Sequence, residues 1–285
     1  MFKDSYARSI RLAAVCVVAL ALAAPILSGC GGNSSADQRP PAKGSGEVKW
    51  LIPPRPIPDL GQRTVGGGAR AAVLLWRAGR RPPRDAIVFL HAWQPMPPYV
   101  YGAWLRHLAR EGNTIVYPVI QGLSTKPEAI LPGALAGVAT GLRAAHADPD
   151  SVVAVGDNTG GALAFDYAAL AGSQDLPAPR GVLAIFPGRN PPGGEVTLAD
   201  LSRIVPRTLL EAIAGSGDPI PDGEAQARAL LQGAEQVPAD HRRLLGAPAV
   251  GRGGPMRPTP AARRAFWVPA DRLIAEARGE LGGGR

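Results

Sequence analysis

The sequence is poor in the side chains that carry most acid–base and metal chemistry. It has four histidines in 285 residues, His91, His107, His146 and His241, and two cysteines, Cys16 and Cys30. Two cysteines cannot make a multi-disulfide scaffold, and no His/Cys/carboxylate cluster has ligand spacing, so no metal is expected. Nothing in the sequence implies a cofactor. Charged residues are only 19% against 46% hydrophobic ones, which excludes a disordered polyelectrolyte. Lysine is scarce too: of 31 basic residues only Lys3, Lys43, Lys49 and Lys126 are lysines. The arginines are scattered, with no stripe or aromatic-interleaved patch, so the net charge of +8 does not point to nucleic acid as a partner. The apolar run Leu12–Leu27 is 16 residues, shorter than the ~20 that a membrane-spanning helix needs.

That run instead has the length of a signal h-region, and Lys3, Arg8 and Arg11 ahead of it form a cationic n-region. Leu27-Ser28-Gly29-Cys30 follows, and this tetrapeptide resembles the lipobox of bacterial lipoproteins. The resemblance implies cleavage before Cys30, lipidation of its thiol and an exported protein anchored to a membrane of the cell envelope. Two or more acyl chains anchor stably where one does not. A retained membrane helix and an ordinary cleaved signal are the alternatives. Loss of 1–29 removes three basic residues and one acidic residue, which lowers the net charge from +8 to +6. The expected organisation is a signal peptide over 1–29, a Gly/Pro/Ser-rich tether over 30–59 and one domain over 60–285. No protein partner can be named from the sequence.

Beyond the tether, apolar runs alternate with helical patterns. Strands are expected at 69–79, 86–92, 113–121, 150–156, 180–188, 207–215 and 241–250. Helices are expected at 101–112, 132–146, 160–172, 222–232 and 269–279. Runs such as Ala86-Ile-Val-Phe-Leu90 are apolar throughout, as in a sheet covered on both sides. This β/α alternation predicts a doubly wound, mostly parallel sheet with helices on both faces.

One junction carries a motif. Strand 150–156 runs directly into helix 160–172 through Gly156-Asp157-Asn158-Thr159-Gly160. The segment resembles G-x-S-x-G, the nucleophile elbow of the α/β-hydrolases, in the strand–turn–helix context that motif requires. His91-Ala92-Trp93 after its own strand resembles the family's oxyanion segment. The resemblance implies an α/β-hydrolase fold, and about 20 residues between strands 180–188 and 207–215 leave no room for a large cap domain.

The same comparison shows what is missing. Asn158 occupies the nucleophile position, and a carboxamide nitrogen is a poor nucleophile that an imidazole does not activate. Asn does tolerate the positive φ such an elbow imposes. Asp218 falls where the family's acid stands, or is a loop aspartate. The loop after the last strand, 251–260, where the base would lie, has no histidine. Oxyanion donors would be the backbone N–H groups of Trp93 and Thr159, with Ala92 where the family usually has Gly. Gly156 and Gly160 keep the elbow's geometry. Trp93, Tyr99 and Tyr101 are expected to rim an open groove suited to a small apolar ligand, and Arg252 could pair with Asp218. The expected function is that of an inactive hydrolase relative acting as a binding module; an active ester hydrolase with a non-standard catalytic set is the alternative.

Overall fold

The computed structural model describes residues 53–93, 96–120, 125–188, 198–215, 223–247 and 250–280. Eight strands form one sheet: β1 (Leu60–Val65), β2 (Ala72–Arg77), β3 (Ala86–Leu90), β4 (Thr114–Pro118), β5 (Val153–Asp157), β6 (Gly181–Ile185), β7 (Leu209–Ala214) and β8 (Arg242–Gly246). Their spatial order is β1-β2-β4-β3-β5-β6-β7-β8. β2 is antiparallel to β1 and β4, and every pairing from β4 to β8 is parallel.

The alternation of side chains along each strand divides the core into two layers. Ala86, Val88 and Leu90 of β3 face helices α2 (Pro127–Ala145), α3 (Thr159–Leu170) and α4 (Gly223–Gly233). Ile87 and Phe89 face α1 (Gly102–Arg110) and α5 (Val268–Ala277). The doubly wound sheet with helices on both faces is therefore present. The β6–β7 connection, 186–208, is too short for a separate cap domain.

Differences from the sequence reading are local. β1 was not anticipated, because Leu-Gly-Gln-Arg-Thr-Val has neither an apolar run nor clean alternation; it forms an edge and is largely exposed. α2 starts at Pro127 rather than Pro132, since Pro at the first helical position gives up an N–H that has no partner there anyway. α5 is preceded by a helical turn, Pro260–Ala262, and a π turn, Arg263–Trp267. Trp267 stacks on Trp104 of α1 at 6.4 Å and on His107 at 5.1 Å, and the Arg263 guanidinium lies 4.5 Å from its ring centre. Ile57 is buried at 3% exposure, so packing begins ahead of β1.

Charged groups are buried together at the edge of the α1/α5 side. Glu211 of β7, 1% exposed, accepts hydrogen bonds from Arg243 of β8 (3.2 Å) and Arg272 of α5 (2.7 Å). Arg243 is also held by both oxygens of Glu276 at 2.6 and 2.7 Å. This arrangement fixes α5 across the last two strands.

α2 lies close to the sheet because glycine recurs on its inner face. A β-carbon on Gly141 would stand 2.2 Å from Val116 Cγ1, and one on Gly137 would stand 2.9 Å from Pro118 Cβ. Gly-to-Ala changes inside a helix normally stabilise by about 1 kcal/mol. At Gly141 overpacking, which costs about 1–3 kcal/mol, dominates. Gly141→Ala is expected to lower unfolding free energy by about 1–2 kcal/mol in urea titrations.

Candidate functional site at the carboxyl ends of the strands

β5 ends at Asp157 and α3 begins at Thr159, so the whole reversal falls on Asn158. Its backbone has φ 56° and ψ −116°. The amide of Asn158 donates to the Ile185 carbonyl at 2.8 Å, and its carbonyl accepts from Gly161 N (2.9 Å) and Gly188 N (3.1 Å). Neither flanking glycine tolerates a side chain. A β-carbon on Gly156 would lie 2.0 Å from the Gly160 carbonyl oxygen, and one on Gly160 would lie 2.0 Å from the Leu90 carbonyl oxygen. The first contact closes the elbow on itself and the second presses it against the end of β3. Phe186, the residue after β6, also has positive φ (44°), so two strained residues stand on adjacent strand ends.

The Leu90–Gly156 pairing in the β3–β5 register sets 91–93 beside 157–159. A buried hydrogen-bonded chain joins the two. Tyr101 Oη donates to Asp157 Oδ2 at 2.8 Å and accepts from the Ala92 amide at 3.1 Å. Burial, and then the nearby Asp157 carboxyl, push the Tyr101 phenol well above its ordinary range. Tyr101 is 1% exposed. It is thus a strut beneath the crest and not part of a groove rim, which corrects the expectation. The signal was there to find: an aspartate ending an apolar strand is buried, and a buried carboxylate requires a donor. Tyr99 does not stand with Trp93 either; it lines a hollow with Arg55, Ile57 and Arg106, and Arg55 lies over its ring at 5.7 Å. Trp93 is half-buried at the end of β3 and packs on the α2/α3 side of the core.

His91 is completely buried and stacks on Tyr117 at 5.3 Å. Its Nδ1 lies 2.7 Å from the Ala92 carbonyl, which requires Nδ1 to carry the proton, and Nε2 is buried without a partner. Burial lowers its pKa from 6.5 to about 4. The other histidines are remote from the crest. His107 lies in the last turn of α1, where its hydrogen bond to Asp271 of α5 (2.8 Å) raises its pKa. His146 caps the end of α2 in a left-handed conformation, and His241 precedes β8 with Nδ1 3.3 Å from Pro206 O.

Comparison with solved structures places this geometry. Esterase B from Lactobacillus rhamnosis superposes with a TM-score of 0.56 at 16% identity, over 82% of this chain and 91% of that one. A putative dienelactone hydrolase from Klebsiella pneumoniae gives 0.56 at 15%, over 76% and 98%. An esterase of the bacterial hormone-sensitive lipase family gives 0.53 at 16%, over 81% and 87%. This is the α/β-hydrolase fold. No protein-family model and no curated protein matches the sequence.

Asn158 takes the positive φ expected of it at the strand-to-helix turn. The helix-opening Thr159 turns its hydroxyl onto the Asn158 carboxamide oxygen at 3.2 Å. Asp218 lies outside the described residues, and with it the expected pair with Arg252. Cys30 and the lipobox lie outside them as well. The loop 251–260 folds into tight turns closed by Gly254 N→Gly251 O (2.7 Å) and Arg257 N→Gly254 O (3.0 Å). Among the described residues no group of three or more His, Cys, Asp or Glu side chains is arranged to hold a metal ion.

The buried imidazole has a pH consequence. Its pKa is depressed in the folded chain, so the unfolded chain takes up the proton first as pH falls. Stability from this group is fully present above pH 6.5 and declines towards about pH 4. A gap of that size corresponds to about 3 kcal/mol. His91→Phe keeps the stack on Tyr117 and removes the titration, so chemical denaturation of that variant is expected to vary less with pH across this window than that of the unaltered chain.

Proposed function

We propose that the protein is an exported, lipid-anchored binding module of the bacterial cell envelope, built on a hydrolase fold whose nucleophile position has been given to a carboxamide. The observation that carries this reading is Asn158 in the elbow's own backbone conformation, φ 56° and ψ −116°, with Gly156 and Gly160 retained around it. An ester hydrolase of this fold needs an oxygen that can attack a carbonyl and an imidazole to take its proton. Asn158 offers no such oxygen. The one imidazole at this end of the sheet, His91, has one nitrogen engaged by the Ala92 carbonyl and is fully buried. The Thr159 and Trp93 amides beside Asn158 would bind a carbonyl or similar acceptor, and Trp93 supplies apolar surface for a small apolar ligand.

A second reading is an active carboxylic-ester hydrolase with a non-standard catalytic set. It is favoured by the esterases among the similar structures. Activated esters and a serine-reactive phosphonate separate the two. The unaltered chain is expected to show no turnover above buffer. Asn158→Ser restores the hydroxyl without a base, and is expected to fall short of the ~100–10,000-fold that a general base contributes. Robust turnover or phosphonate labelling of the unaltered chain would establish the second reading.

Export and anchoring rest on Lys3, Arg8, Arg11, the run Leu12–Leu27 and Leu27-Ser28-Gly29-Cys30. Among the described residues no helix is long and apolar enough to cross a membrane. Growth of bacteria expressing the chain with an alkyne-tagged fatty acid is expected to label the protein, and Cys30→Ser is expected to abolish the label and release the chain from the membrane fraction. Equal labelling of the two forms would overturn the anchor.

A further inference from the structure

The torsion that shapes the elbow is also one from which an asparagine can close on the next residue. Viewed down the Cα–C bond of an L-residue, Cβ stands about a third of a turn from the residue's own nitrogen. At ψ −116° the Asn158 β-carbon therefore comes nearly into eclipse with the nitrogen of Thr159, as in a five-membered ring. Helix, with ψ about −42°, and strand, with ψ about +135°, hold these atoms apart. Here the torsion is fixed from both sides. The Asn158 amide is bonded to Ile185 O, and its carbonyl is bonded to Gly161 N and Gly188 N.

The two reacting groups are also prepared. Thr159 opens α3, and the first amides of a helix have no carbonyl of the helix to bond. Its hydroxyl donates to Asn158 Oδ1 at 3.2 Å, which turns the carboxamide towards Thr159 and draws electrons from Cγ. Asn158 is only half-buried, so water has access.

We propose that Asn158 is a site of self-modification, in which the folded elbow converts the carboxamide to a carboxylate through a succinimide. The Thr159 nitrogen attacks Asn158 Cγ, and the N–Cγ bond forms as Cγ–Nδ2 breaks. Ammonia leaves with the proton given up by the Thr159 amide. Water then opens the imide. Attack at Cγ leaves an aspartate, and attack at the main-chain carbonyl leaves an isoaspartate with one extra main-chain carbon. The close contacts around Gly156 and Gly160 leave no slack for that carbon, so aspartate is the expected product of the folded chain. The product carries its charge at the N-terminus of α3, where a carboxylate is favoured. The side chain at 158 thereby changes from neutral to anionic, and with it the ligands the crest prefers.

The test compares the purified full chain folded and unfolded in guanidinium, both held in mildly alkaline buffer and sampled over days. Trypsin releases the peptide between Arg143 and Arg180, in which Asn158 is the only asparagine, and mass spectrometry follows loss of ammonia and then the exchange of NH2 for OH. In the unfolded chain the branched Thr159 side chain hinders closure, so the folded chain is expected to react several-fold faster. Thr159→Val keeps the branching and removes the hydroxyl; it is expected to slow the folded reaction and leave the unfolded one unchanged. Asn158 that survives as long or longer in the folded chain than in the unfolded one overturns the proposal. If Thr159→Val fails to fold, the folded-against-unfolded comparison on the unaltered chain decides alone.

Discussion

Two missing β-carbons hold the crest of this molecule together. At Gly156 and Gly160 any side chain would come within 2.0 Å of a backbone carbonyl oxygen. Because both are absent, α3 starts directly on the end of β5 and leans on the end of β3. The reversal is then too tight for ordinary dihedrals, and Asn158 is driven into a conformation few side chains accept. The hydrogen bonds to Ile185, Gly161 and Gly188 follow from that placement. Strain of this kind persists only where the surroundings over-determine it. Here the Asn158 hydrogen bonds and the two flanking glycines do so.

A second layer of support lies beneath. Phe89, Tyr101, Trp104 and Tyr117 pack together on the α1/α5 side, with ring centres 4.9 to 6.5 Å apart. Tyr101 uses its hydroxyl to tie the end of β5 to the start of the segment after β3. The relative position of Asn158 and Trp93 is thus set by core packing as well as by the sheet register. That favours a preformed surface at the crest, since its two edges share one buried strut.

Much of this was legible in the sequence, for a physical reason. Strands buried on both faces read as apolar runs, and β3 to β7 stood out on that ground. The elbow is legible because Gly156-Asp157-Asn158-Thr159-Gly160, between a strand and a helix, resembles G-x-S-x-G. Lone polar groups that act through distant partners were not legible. Asp157 and Tyr101 are 56 residues apart, and nothing local says that they meet. Tyr101 reads as a rim residue because an aromatic residue looks the same in sequence whether its ring faces solvent or the core. The edge strand β1 was missed because it is defined by its pairing with β2 and not by its own pattern. The π turn before α5 gave no cue either, because it serves the stack of Trp267 on Trp104, a contact between opposite ends of the domain's sequence.

The buried layer under the elbow also decides how the crest responds to its surroundings. Burial holds the Tyr101 and Tyr117 phenols far above their usual range and the His91 imidazole far below its own. None of the three exchanges a proton with solvent near neutral pH. These three side chains beneath Asn158 act as fixed dipoles, so in the folded chain their polarity stays constant while the medium outside turns mildly acidic or alkaline.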